Sequence, residues 1–235
     1  MITLRPHRPD PHVLYLQRLL NEWLSHEPGS EVLVEDCDFG QRTEAALRRF
    51  QSSYTGTGGR LTVDGVAGTN TWRALGLQTE IDYAVPRVGQ STGMSCWVVA
   101  AGLATGRMTS AIPGLAQVAP NNDPNGGGGG LEPSLNNLDR YAASLQMHLH
   151  PQLPGEIEEF AHLLRRGPAI MIGRWVTGGL HAVVVSGYFE GRTPFTHMIR
   201  ISNPAPQGRG SIQLTDYPMM TLLDTGFDPY ALIVK

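Results

Sequence analysis

The first third of the chain repeats itself. Asp36, Gly40, Thr43, Ala46 and Leu47 return 28 residues later as Asp64, Gly68, Thr71, Ala74 and Leu75. Each copy sets an aspartate and glycine turn ahead of a threonine that can cap and a run with helical period. The first such helix is predicted over residues 43–54, with Ala46, Leu47 and Phe50 on one face. Val13, Leu16, Gln17, Leu20 and Leu24 predict another helix ahead of it. A duplicated turn–helix unit preceded by one helix has few ways to bury its apolar faces. The expected product is a compact three-helix module that closes by residue 77.

The chain is 235 residues long, which leaves room for a second domain. A composition of 41 % hydrophobic and 17 % charged residues supplies a buried core and excludes wholesale disorder. The net charge is −3, and the only lysine is the terminal Lys235. Charges of both signs occur before and after residue 77, so neither part is the polycation that tracks nucleic-acid phosphates. No run of apolar residues is long enough for a membrane-spanning helix. The amino-terminal residues Met1–His7 lack the apolar core of a secretory signal peptide. Two cysteines, Cys37 and Cys96, are too few for a disulfide framework or a cysteine-rich zinc site. No metal or cofactor is expected.

Leu16-Gln17 and Leu20, then Asp38-Phe39-Gly40, Thr43, Ala46 and Phe50-Gln51, then Asp64–Gly68, Thr71-Trp72 and Leu75 resemble the peptidoglycan-binding module of many cell-wall hydrolases. The resemblance covers about residues 10–77 and implies a three-helix fold with peptidoglycan as its partner. The sequence departs from that family at Cys37, where the first turn often carries glycine; an ordinary negative φ is therefore expected there. Phe39, Leu47, Phe50, Trp72 and Leu75 are expected to build the core rather than touch a ligand. Residues 78–88 read as a linker, with Pro86 favouring an extended path.

Beyond the linker, Ser95 is placed to cap a buried helix that starts at Cys96-Trp97. A thiol in the first helical turn gains from the helix terminus and its free N–H groups, which lower its pKa. After Gly167-Pro168 come three apolar strands: 169–175, 181–188 and 195–202, the last ending at Asn203-Pro204. A hairpin centred near Arg192 sets His181 opposite Asn203 on one sheet face. The amide then orients the imidazole, and the imidazole activates the thiol. Gln90, six residues before Cys96, can complete an oxyanion hole with the Cys96 N–H. His148-x-His150 lacks a third metal ligand, Gly126–Gly130 lacks the lysine of a phosphate loop, and the Glu156, Glu158 and Glu159 cluster matches a helix start.

Gln90-x5-Cys96-Trp97, Gly178–Tyr188 around His181, and Asn203-Pro204-x-Pro206 resemble the papain-like cysteine peptidases of short bacterial form, such as the AvrRpt2-like and C39-like groups. The resemblance covers about residues 84–235. It implies Cys96 as nucleophile, His181 as base, Asn203 as orienting residue and Gln90 as oxyanion donor. Short bacterial relatives often carry aspartate where Asn203 stands, which keeps Asp216 and Asp224 as alternatives.

The expected molecule is α+β: a three-helix peptidoglycan-binding domain (1–77), a linker (78–88) and a papain-like domain (89–235) with a helical half packed on an antiparallel sheet half. The expected function is thiol-dependent hydrolysis of peptide or amide bonds, directed at the cell wall and its peptides. The alternatives are a protein-directed protease that uses the wall as a tether, and a non-catalytic wall-binding protein. With no leader in the sequence given, export by a leaderless route is expected, as for an antibacterial effector paired with an immunity protein. Because the four candidates start at Gln90, a truncation lacking residues 1–77 is expected to keep the site.

Overall fold

A computed structural model describes residues 2–56, 59–118, 129–175, 179–216 and 226–235. The chain divides into two compact units, Met1–Glu80 with Phe189–Met198, and Ile81–Tyr188 with Ile199–Lys235.

The first unit is built on α1 (His12–Leu24), α2 (Gln41–Ser53) and α3 (Thr69–Leu75). Phe39, Leu47, Phe50, Trp72 and Leu75 are all buried in its core. The repeat has a polar counterpart inside. Gln17 Nε2 donates to Asp36 Oδ1 at 2.7 Å and to the Asp38 carbonyl at 3.0 Å, while its Oε1 accepts the Asp36 and Cys37 N–H groups. Gln51 does the same in the second copy, donating to Asp64 Oδ1 and the Val66 carbonyl and accepting the Gly65 N–H. Each buried amide therefore satisfies the backbone of one turn, which is otherwise costly to bury. Thr43 and Thr71 are not the helix caps. Gly40 and Gly68 hold those positions, and each threonine, inside its helix, donates its hydroxyl to the turn carbonyl, Asp38 or Val66. Cys37 has φ 63°, beside 69° at Gly65, so the expected negative φ is not found. The repeat imposes its turn geometry on the cysteine, whose N–H bond to Gln17 compensates.

The segment Phe189–Met198 belongs to this same unit. Phe189 is fully buried, its ring 5.5 Å from His12 and 5.8 Å from Tyr15. The Gln78 N–H bonds the Glu190 carbonyl at 2.8 Å. Residues 79–82, expected as part of a linker, form strand β1 (Thr79–Asp82), which pairs with β4.

The second unit carries α4 (Cys96–Thr105), α5 (Leu115–Val118), α6 (Leu135–Ser144) and α7 (Ile157–Leu164). Its strands are β2 (His148–His150), β3 (Ala169–Trp175), β4 (Leu180–Glu190), β5 (Met198–Asn203), β6 (Ser211–Asp216) and β7 (Phe227–Val234). They lie in the order β2-β7-β3-β4-β5-β6, with β2–β7, β7–β3 and β3–β4 antiparallel. Strand alternation gives the sheet two apolar faces. Ile170, Ile172, Ala182, Val184, Ala231 and Ile233 face α4 and α6 through Trp97, Leu138 and Tyr141. Met171, Val183, Val185, Ile199 and Leu232 face α7 through Phe160 and Leu164. The unit is thus a sheet between helices, and its helical part carries Cys96 while its sheet carries His181 and Asn203.

Candidate active site

Cys96 is the first residue of α4 and is 5 % exposed. The tyrosine below it fixes the helix, because Tyr141 O–H donates to the Trp97 carbonyl at 2.6 Å. Ser95 occupies the N-cap position but does not cap with its side chain. Its hydroxyl turns back to Thr92, accepting that N–H at 3.0 Å. The thiol also departs from expectation. The N–H groups of Ala182, Trp97 and Cys96 favour the thiolate, yet burial outweighs them and pushes the thiol above its ordinary value. The helix terminus acts in the expected direction and loses to desolvation.

His181 lies near the start of β4, where Gly173 of β3 pairs with it. Its Nε2 is 2.7 Å from Asn203 Oδ1. The same amide atom accepts the Ala205 N–H at 2.8 Å. A backbone N–H can only donate, so the shared atom is the amide oxygen and Nε2 carries the proton. Nδ1 is then the nitrogen with a free lone pair. Trp175 and Phe227 wall the ring, with centroids at 5.3 and 5.9 Å. Burial lowers the imidazole pKa below its ordinary value, against the opposing effect of the Asn203 bond. Burial thus disfavours the charged form of both the thiol and the imidazole.

Gly173 makes the wall of this site. A Cβ there would meet the Phe227 ring at 2.4 Å and the Asp228 carbonyl at 2.7 Å. The missing side chain lets Phe227 reach the imidazole edge. The β3–β7 register also shifts between Ile172 and Gly173, which re-aims the strand end at the site.

Gln90 is held by the loop that follows Asn203. Its N–H bonds the Pro204 carbonyl at 3.0 Å, and its carbonyl accepts the Gly208 N–H at 2.8 Å. Backbone crosses backbone at Gly89, where a Cβ would sit 2.1 Å from the Arg209 nitrogen. The side chain is buried, and its Oε1 has no hydrogen-bond partner among the described residues. Gln90, Cys96 and His181 line one cavity of about 640 Å³, together with Trp97, Leu131, Ile172, Trp175 and Leu180. The sequence points to the four candidates but not to this loop. Gly89 together with Gly208 and Gly210 was the available signal for the crossing.

Asp216 ends β6, and the imidazole Nε2 is bonded to Asn203 instead. Asp224 and Gly126–Gly128 lie outside the described residues. The β4–β5 connection is wider than a tight turn at Arg192, with a short 3₁₀ turn at Pro194–Thr196. His197 therefore precedes β5 instead of lying in it. Among the described residues, no three or more histidine, cysteine, aspartate or glutamate side chains are grouped to hold a metal ion. No helix among them is long and apolar enough to cross a membrane.

Two family models match the chain. A putative peptidoglycan binding domain matches residues 9–75, and the papain-like cysteine protease AvrRpt2 family matches residues 78–220. No curated protein matches the chain in sequence. The second match spans more than half of the chain and takes in the helix that starts at Cys96 and the strands that bear His181 and Asn203. The chain accordingly belongs to the papain-like cysteine protease AvrRpt2 family, and it carries a peptidoglycan-binding domain ahead of the protease.

Proposed function

We propose that this wall-associated cysteine protease uses Cys96 as nucleophile, His181 as general base, Asn203 as orienting amide and Gln90 as oxyanion donor. The observation that carries the reading is the doubly bonded Asn203 oxygen, which presents His181 Nδ1 as an acceptor in the cavity that Cys96 lines. Nδ1 takes the thiol proton as the sulfur attacks the scissile carbonyl. The carbonyl oxygen, now negative, meets the Gln90 amide and the Cys96 N–H. His181 returns the proton to the leaving amine, and the bond to it breaks. Water then gives a proton to His181 as its oxygen attacks the thioester carbonyl. The C–S bond breaks, the acid leaves, and the proton passes from His181 back to the Cys96 sulfur.

For the substrate, the lining of the cavity favours a polypeptide with an apolar side chain next to the scissile bond. Trp97, Leu131, Ile172, Trp175 and Leu180 face the cavity, and among the described residues Glu132 lines it but no arginine or lysine does. Wall stem peptides carry free carboxylates, which find no cation there. The wall is then the place of action, and protein is the substrate. The second reading, cleavage of the stem peptides, rests on the peptidoglycan-binding domain, which would concentrate the enzyme on them. Digestion of purified sacculi beside a denatured protein separates the two. Protein fragments without release of muropeptides are expected; new amines from sacculi alone would support the second reading instead. An antibacterial effector with an immunity partner is the biological extension. It predicts lysis of a susceptible host when the chain is directed to its periplasm, and none with Cys96→Ala.

A further inference from the structure

The internal duplication gives the first unit two related grooves, one over each turn–helix copy. The first has a volume of about 300 Å³ and is lined by Asp36, Asp38 and Arg42 among its charged residues. The second has about 650 Å³ and is lined by Asp64 with Arg60, Arg73 and Arg192. One arginine against two carboxylates in the first copy becomes three arginines against one carboxylate in the second. Gln17 holds the Asp36 carboxyl below its usual range, so the first groove keeps its negative charge. In the second, Asp64 is engaged by Gln51 and the Val66 N–H. Arg60 and Arg73 are exposed and have no ion-pair partner among the described residues.

Arg192 is not part of the repeat. It comes from the connection between β4 and β5, and its Nη2 donates to the Ala74 carbonyl at 3.0 Å. Its stem lies against Gly76, where a Cβ would meet Cγ at 2.8 Å. This bond uses one N–H of the guanidinium and fixes its position at the groove wall. The remaining donors are pre-set for a planar anion.

We propose that the second-repeat groove, and not the first, is the wall-binding site of this chain, and that Arg60, Arg73 and Arg192 hold carboxylates of peptidoglycan stem peptides there. The proposal rests on the peptidoglycan-binding reading of the first domain. Two clustered cations without internal partners are the charge complement of an acidic peptide, and the volume admits several residues of one.

The test is co-sedimentation of the full chain with purified sacculi, with Cys96→Ala as the parent so that no cleavage occurs. Arg60→Gln with Arg73→Gln is expected to weaken binding on the order of tenfold or more, and Arg42→Gln to leave it at the parental level. Sacculi whose carboxylates have been converted to amides are expected to lose binding to the parent chain itself, an arm that needs no variant to fold. Sacculi stripped of phosphate polymers are expected to keep it. Parental binding by the double variant, loss with Arg42→Gln, full binding to amidated sacculi, or loss on phosphate removal would each overturn the groove assignment. If the parent fails to sediment with any sacculi, the peptidoglycan reading itself falls, and the groove assignment with it.

Discussion

At the level of single residues, the protonation states decide the pH behaviour. Burial lowers the His181 pKa, so the neutral base persists below the ordinary imidazole value of about 6.5. Activity should hold as pH falls through that value and decline only at the lowered one. Asn203→Asp puts a carboxylate on Nε2, stabilises the imidazolium and should move the acid limb of kcat/KM to higher pH. Asn203→Ala removes a bond that favours the charged ring, so its acid limb should move lower, with reduced turnover. A pH–rate profile of the three proteins checks both directions. His181→Ala should cost about 10²–10⁴ in kcat/KM and more than Asn203→Ala, because in the proposed mechanism His181 transfers the proton and Asn203 only aims it. Gln90→Ala should cost about 10²–10³, mainly in kcat, measured with a soluble peptide. These side chains were legible in the sequence through their spacing: a cysteine at a helix start, a histidine at a strand start, and an amide at the end of the next strand. The resting state of the thiol was not, because it depends on how deeply α4 is buried against the sheet.

At the level of elements, helices and strands followed from periodicity, while their ends and connections did not. α2 begins at Gln41, ahead of the expected start at Thr43, because Gly40 takes the cap position and Thr43 turns its hydroxyl to the Asp38 carbonyl. Such an assignment needs Gln17, which lies far from the turn in sequence and reaches it only in the fold. The strand end at Gly173 is similar. No pattern in 169–175 announces that Phe227 fills the space beside it, yet Gly173→Ala must displace that ring. The variant should keep its secondary structure but lose turnover, with a perturbed His181 signal in NMR titration. Gln51→Ala should destabilise the first unit by about 1–3 kcal/mol, because the Gly65 N–H loses its buried acceptor. Thermal unfolding followed by circular dichroism reads that loss.

For the whole molecule, the two-domain order was legible from the repeat and from the position of the four candidates. The membership of Phe189–Met198 in the first unit was not, because those residues lie more than 100 positions beyond the repeat they pack on. Removing residues 1–77 does more than cut a tether. It takes away His12 and Tyr15 from Phe189 and the Ala74 carbonyl from Arg192. Exposure of one buried phenylalanine alone costs about 1.5–3 kcal/mol. The truncated chain is therefore expected to melt at a lower temperature than the full chain, and Phe189→Ser in the truncated chain should improve its solubility. The central claim is that Cys96, activated by His181, is the nucleophile. A peptide bearing a thiol-reactive electrophile, incubated with the full chain and followed by peptide mapping with mass spectrometry, tests it most directly. The account predicts one label per chain, on Cys96, with labelling slowed in His181→Ala. A label on Cys37 with Cys96 untouched would contradict it.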